Sequence, residues 1–103
     1  MDKRNIRRLK KFKENLIRDY DIQKMILFGS RAKDSYKKYS DFDILLVSNN
    51  FDGVDKLKRS PALYLKWDLN YPVDFLCYTP AEFNKLKKQI TIVREAVKEG
   101  IVI

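Results

Sequence analysis

The stretch SDFDILLV, residues 40–47, sets two aspartates at the head of a run that otherwise has the composition of a buried strand. A second run, PVDFLCY over residues 72–78, carries a third. Aspartate is among the poorest strand formers, and burying an ionised carboxylate is costly unless it is paired or meets a cation. Something in the folded chain has to offset that cost.

Residues i and i+2 of a strand project from the same face, so Asp41 and Asp43 point the same way. Asp74 breaks its apolar strand as Asp43 does, and a paired neighbour would lie only ~4.8 Å away. If the two strands pair, three carboxylates converge. One such aspartate alone is better explained as a strand-end turn residue. A DxD with a third in-strand aspartate is not. Clustered carboxylates without His or Cys are hard oxygen ligands, which match Mg²⁺ or Mn²⁺ rather than zinc. Two such ions roughly 3.5–4 Å apart suit phosphoryl or nucleotidyl transfer.

Composition narrows the chemistry in the same direction. The chain has no histidine and one cysteine, Cys77, which excludes an internal disulfide, a Cys/His zinc site and any His-dependent triad. Catalysis would have to use carboxylates, hydroxyls, Lys and Arg, with a metal. Cys77, between apolar residues, fits a small core residue of a cytosolic protein. With 103 residues, 45% of them apolar, residues 1–103 form one domain with a real core but little material for an elaborate pocket. No apolar run approaches the ~18–20 residues of a membrane span. The basic N-terminus MDKRNIRRLKKFKENLIRDY contains Asp2, Glu14 and Asp19 and lacks the apolar stretch of a signal peptide. A net charge of +8 favours an anionic partner without choosing among nucleic acid, nucleotide phosphate and acidic protein.

Apolar residues recur every three or four positions from Ile6 through Leu9, Phe12, Leu16 and Ile17 to Tyr20, which predicts an amphipathic helix over 2–20 with a basic outer face. Lys24–Phe28, Phe42–Val47 and Pro72–Tyr78 are expected strands. Ser30–Lys33 reads as one helical turn with Ser30 near its cap. Asp55–Asn70 is roughly helical, with Pro61 as a break or a first-turn proline. Thr79-Pro80-Ala81-Glu82 has the form of a capping box. Helices follow over 81–88 and 92–99, with Gly100 as the expected C-cap, and Ile101–Ile103 adds a short strand. The order describes an α/β (α+β) domain, a small mixed sheet flanked by helices.

Gly29-Ser30 follows the first strand. A glycine there lets a ligand approach the backbone, and free N–H groups at a helix start bind phosphate. A lone Gly-Ser is a weak signal, but ten residues (RAKDSYKKYS) separate it from Asp41-Phe42-Asp43. This GS-x10-DxD pattern, with GSRA, SDFDILLV and PVDFLCYTPAEF, resembles the minimal nucleotidyltransferases of the DNA polymerase β-like superfamily, over nearly the whole chain.

The resemblance implies the polymerase β-like fold. It implies that Gly29 and Ser30, with Arg31 beside them, hold a nucleotide triphosphate, ATP in this family. It implies that Asp41 and Asp43 bind two Mg²⁺ ions and that Asp74 completes the metal site nearer the acceptor hydroxyl. Arg31 is open to a structural role as well. The sequence departs from the family at Asp34, where glycine is frequent; aspartate tolerates a left-handed backbone better than most residues. Many such proteins look like cytoplasmic antitoxins that transfer AMP to a tyrosine of a HEPN-domain ribonuclease toxin.

Another reading is a non-catalytic binding module that neutralises its partner by complex formation, with Trp67, Tyr64 and Tyr71 as interface anchors, although Trp67 suits a core better. Nucleic-acid binding by the basic helix ranks last, because no aromatics interleave its charges. A small-molecule acceptor usually goes with extra domains in this family. Tyr36, Tyr39, Lys33, Lys37 and Lys38 divide between loop exposure and a role near the nucleotide. A homo-oligomer is left open.

Overall fold

The computed structural model describes residues 3–33 and 41–103. The expectations for Asp34, Tyr36, Lys37, Lys38 and Tyr39 fall outside those residues. The order is α1 (Lys3–Leu16), β1 (Ile22–Phe28), β2 (Phe42–Ser48), α2 (Pro61–Lys66), β3 (Val73–Tyr78), α3 (Pro80–Leu86), α4 (Ile92–Glu99) and β4 (Ile101–Val102). Short 3₁₀ turns occupy Ser30–Ala32, Asn49–Phe51 and Lys56–Lys58. The strands form one mixed sheet in the order β3-β2-β1-β4. The architecture is the α+β one expected.

β1 and β2 run antiparallel, and β2 and β3 parallel. Parallel neighbours need a crossover, and the segment containing α2 supplies it. Alternation along β2 then sorts its side chains. Phe42, Ile44 and Leu46 face α1 and α2 in a core with Leu9, Phe12, Leu16, Leu63 and Phe75. Leu45 and Val47 face α3 and α4 in a second core with Ile26, Phe28, Phe83, Val93 and Ala96.

The first core is aromatic. Trp67 packs edge-on against Phe12 at 5.1 Å between centroids and against Phe42 at 5.6 Å, and its Nε1–H donates to the Tyr71 carbonyl at 2.8 Å. Trp67 is therefore a packing residue whose polar end is satisfied, as buried indoles require.

On the other side, α3 begins with the expected capping box. The Glu82 N–H donates to Thr79 Oγ1 at 3.2 Å, and the Thr79 N–H donates to Glu82 Oε1 at 2.8 Å. Glu82 also receives Arg59 at 2.6 Å, and Arg59 donates to the carbonyls of Val54 at 2.9 Å and Cys77 at 3.1 Å. One buried guanidinium thus ties the crossover, the edge of β3 and the start of α3 together. Burial pushes the Cys77 thiol up to about 12, so it stays protonated and behaves as a packing group.

Some boundaries differ from expectation. α1 stops at Leu16, where the N–H groups of Asp19 and Tyr20 both turn back to the Leu16 carbonyl. Ile17 is consequently exposed, and Asn5 joins the buried face. Gly100 does not take the left-handed cap conformation; its φ is −77°. It is needed for space, since a Cβ there would run into the Ala96 carbonyl and the Ile26 side chain.

Candidate active site

Because β2 and β3 are parallel neighbours in register, Asp43 lies directly beside Asp74. Both stand at the strand heads on the face of Leu45 and Leu76, just beyond the apolar rows of the second core. Asp41 precedes β2 and is exposed. The expected pairing is therefore present. Its electrical consequence shows at Asp43, whose carboxyl is held above the ordinary carboxylate range by partial burial first, then by the charges of Asp74 and Asp41. Among the described residues, no three acidic or cysteine side chains are gathered as a finished metal cage. Asp41, Asp43 and Asp74 share one end of the sheet.

The donor set fits a hard divalent cation nonetheless. All three groups are carboxylates, and the charge of Asp43 is raised in energy by neighbours that a cation would neutralise.

Gly29 ends β1 against this site. Its φ of 74° and ψ of −157° lie in a region open essentially to glycine alone. A Cβ at this position would collide with the Asp43 carboxylate. Two demands thus meet at one residue: a reversed backbone and the close approach of an acidic side chain. Ser30 opens the 3₁₀ turn and is exposed. Gly29, rather than Ser30, occupies the cap position, and no side chain caps the turn.

Arg31 turns the other way. It is 2% exposed, with its guanidinium carbon 4.6 Å from the Phe42 ring centre and 4.5 Å from that of Tyr71. This cation–π seat anchors the Gly29–Ala32 turn to the aromatic core. The placement suits a positioning residue.

A cavity of about 580 Å³ opens at the carboxylates, within the usual size of small-ligand sites. Gly29, Asp43 and Asp74 line one side, Tyr64 and Phe75 another, and α4 supplies Ile92, Glu95, Ala96 and Glu99. Lys33 also lines it, with its Nζ 3.0 Å from Glu99. Sequence reasoning left out the α4 wall. The signal was the stripe Ile92, Glu95/Ala96, Glu99 at helical spacing, but nothing in that stripe says which sheet end the helix covers. No helix among the described residues is long and apolar enough to cross a membrane.

Comparison with known proteins agrees with this geometry. Residues 9–100 match the family model of the nucleotidyltransferase domain. The chain is 32% identical over 85 residues to a probable protein adenylyltransferase, MntA, of Haemophilus influenzae, covering 78% of this chain and 69% of the relative. It superimposes on a crystal structure from Sulfolobus solfataricus described as a nucleotidyltransferase, with TM-score 0.64, 21% identity, and 91% and 74% of the two chains covered. A weaker likeness is to BolA1 of Arabidopsis thaliana, TM-score 0.55 at 19% identity over 71% of this chain and 92% of that one, and both structural likenesses concern the fold alone. With a match spanning most of its length and two strand-head aspartates side by side beside a glycine turn, the chain belongs to the nucleotidyltransferase domain family.

Proposed function

We propose that this chain is an Mg²⁺-dependent protein adenylyltransferase that moves AMP from ATP to a tyrosine hydroxyl of a HEPN-domain ribonuclease, and so acts as a cytoplasmic antitoxin. The observation that carries the reading is the meeting of Gly29, Asp43 and Asp74 at one cavity. The name of the Haemophilus relative supports protein as the acceptor and AMP as the transferred group.

Each residue has a role in this reading. Gly29, without a Cβ, admits the phosphates to the backbone N–H groups of the following turn, and the Ser30 hydroxyl adds a donor. Asp41, Asp43 and Asp74 would hold two Mg²⁺ ions, which when bound supply charge neutralisation at the phosphates and orientation of attacking and leaving oxygens. Asp74 stands at the cavity wall to take the proton of the incoming hydroxyl. Phe75, Leu76 and Ile92 give that wall an apolar lining that limits water. Arg31, from its aromatic seat, keeps the turn in place.

The test is intact mass spectrometry of the HEPN-domain partner after incubation with this chain, ATP and Mg²⁺, beside the Asp41→Asn/Asp43→Asn double variant. The expected result is one or more AMP units on the partner with wild type and none with the variant. No mass gain, with a stable complex still formed, would replace this reading by that of a non-catalytic binding module.

A further inference from the structure

We propose that Tyr64 is an acceptor in cis: supplied with ATP and Mg²⁺ and no partner, the chain transfers AMP to its own Tyr64 hydroxyl. This rests on the transferase reading above and adds a modification site to it.

Position is the first argument. Tyr64 lies on α2 and lines the same cavity as Gly29, Asp43 and Asp74. Its hydroxyl accepts the Phe75 N–H at 3.4 Å, which sets the phenolic oxygen beside the edge of β3 at the residue that follows Asp74. The ring is held edge-on to Phe75 at 5.1 Å between centroids. The residue is 43% exposed and lines the cavity, so a ligand there can meet it. A hydrogen bond of this length is weak and engages only a lone pair, leaving the O–H proton free to be donated.

The other described tyrosines are placed differently. Tyr20 packs on Phe51, Tyr71 packs on Phe42 and Arg31, and Tyr78 ends β3 at the strand terminus opposite Asp74. None of these three lines the cavity.

The chemistry is the proposed transfer with a different acceptor. Tyr64 Oη forms a bond to the α-phosphorus of ATP while the bond from that phosphorus to the bridging oxygen of pyrophosphate breaks. The phenolic proton passes to the Asp74 carboxylate, and pyrophosphate leaves. Nothing is oxidised or reduced. The product is a tyrosyl-AMP ester tethered at the wall of a cavity of about 580 Å³. Each chain carries one Tyr64, so the reaction stops at one AMP per chain.

The experiment incubates the purified full chain alone with ATP and Mg²⁺, followed by intact mass and peptide mapping. A parallel arm adds the HEPN-domain partner. One AMP on the Tyr64 peptide is the expected result, reduced at least about ten-fold in Tyr64→Phe. Phenylalanine keeps the ring packing on Phe75, and mapping of the wild type decides the site even if that variant is unstable. An adduct mapped to any other residue, Tyr36 and Tyr39 included, overturns the proposal. A bare chain beside a labelled partner overturns it too, and leaves the transferase reading standing. A bare chain with a bare partner brings down both.

Discussion

On one face of the sheet, Phe12, Phe42, Trp67 and Phe75 close an aromatic core beneath α1 and α2. On the other, the rows that carry Leu45 and Leu76 under α3 and α4 run out at Asp43 and Asp74. The two faces are read from the same strands, one residue apart: Phe42 belongs to the first and Asp43 to the second. Strand alternation therefore lets a rigid packing face stand immediately behind a charged working face. Stability is gathered on the first face and given up on the second. On the packing side, Arg31 rests against two rings. The carboxylates on the working side adjoin one another, and Asp43 is raised above its ordinary value by partial burial first and then by the charges of Asp74 and Asp41.

The largest effect expected from breaking this contrast is on activity. Asp43→Asn should lower AMP transfer about a thousand-fold, the several kcal/mol that a lost metal ligand costs at the reacting phosphate. Without divalent cation, the same variant should melt no lower than wild type and slightly higher near neutral pH. The sign follows from the direction of the shift. An acid whose folded pKa is raised is charged at a cost in the folded state, so the native form gains as pH falls through the raised value. Removing the charge removes the cost. A large fall in the melting temperature of Asp43→Asn would instead make Asp43 a structural residue.

Next comes the ionic tie at the start of α3. Arg59→Ala should cost about 3 kcal/mol, since it strands Glu82 and two backbone carbonyls, a fall of roughly 15 °C for a domain of this size. Arg59 first, with the Thr79 N–H assisting against some desolvation, holds the Glu82 carboxyl down to about 2. That contribution is fully present above the ordinary carboxylate value and is lost as pH falls through about 2. Acid titration of the melting temperature should therefore show a shallower decline below pH ~4.3 in Arg59→Ala than in wild type. Equal slopes would mean that the pair adds nothing to stability.

Gly29 joins the two faces, and its replacement should fall between these effects and the small ones. Gly29→Ala forces a Cβ into a backbone region reserved for glycine and against the Asp43 carboxylate, at roughly 2 kcal/mol. ATP-dependent thermal stabilisation should be lost with it. An unchanged ATP shift would show that the turn tolerates displacement of Asp43.

Much of this was legible in the chain itself, because the signals were local. The period of α1, the Thr79–Glu82 capping box, Pro61 at the head of α2 and the apolar strands each depend on neighbours a few residues apart. The aspartates were legible for a different reason: their misfit with strand burial is visible without a structure. What could not be read was which groups meet across the sheet. The α4 stripe lines the cavity only because β4 turns back onto β1 and Gly100 lets α4 approach Ile26. The Tyr64 hydroxyl meets the edge of β3 at the Phe75 N–H, next in the chain to Asp74. Arg31 adjoins Gly29-Ser30 in sequence, which suggests phosphate binding, yet its side chain belongs to the opposite face.

The seat of Arg31 against Phe42 and Tyr71 gives the smallest predicted effect and a direct test of the two-face division. Arg31→Lys keeps the positive charge but replaces a planar guanidinium, resting against Phe42 and Tyr71, with a compact ammonium that is more strongly hydrated. If Arg31 serves the packing face, the variant should lose about 1 kcal/mol of stability and bind ATP with Mg²⁺ almost as wild type does, measured by denaturant unfolding and by calorimetric titration. Transfer should fall only as far as the loosened turn misplaces Gly29. If Arg31 instead donates directly to phosphate, the pattern inverts: stability holds, while ATP affinity drops because a lysine cannot reproduce the guanidinium's paired donors. The two outcomes separate cleanly because the residue is almost wholly buried. A side chain so enclosed cannot serve the phosphates without leaving the rings, and leaving them would itself register as lost stability on ATP binding.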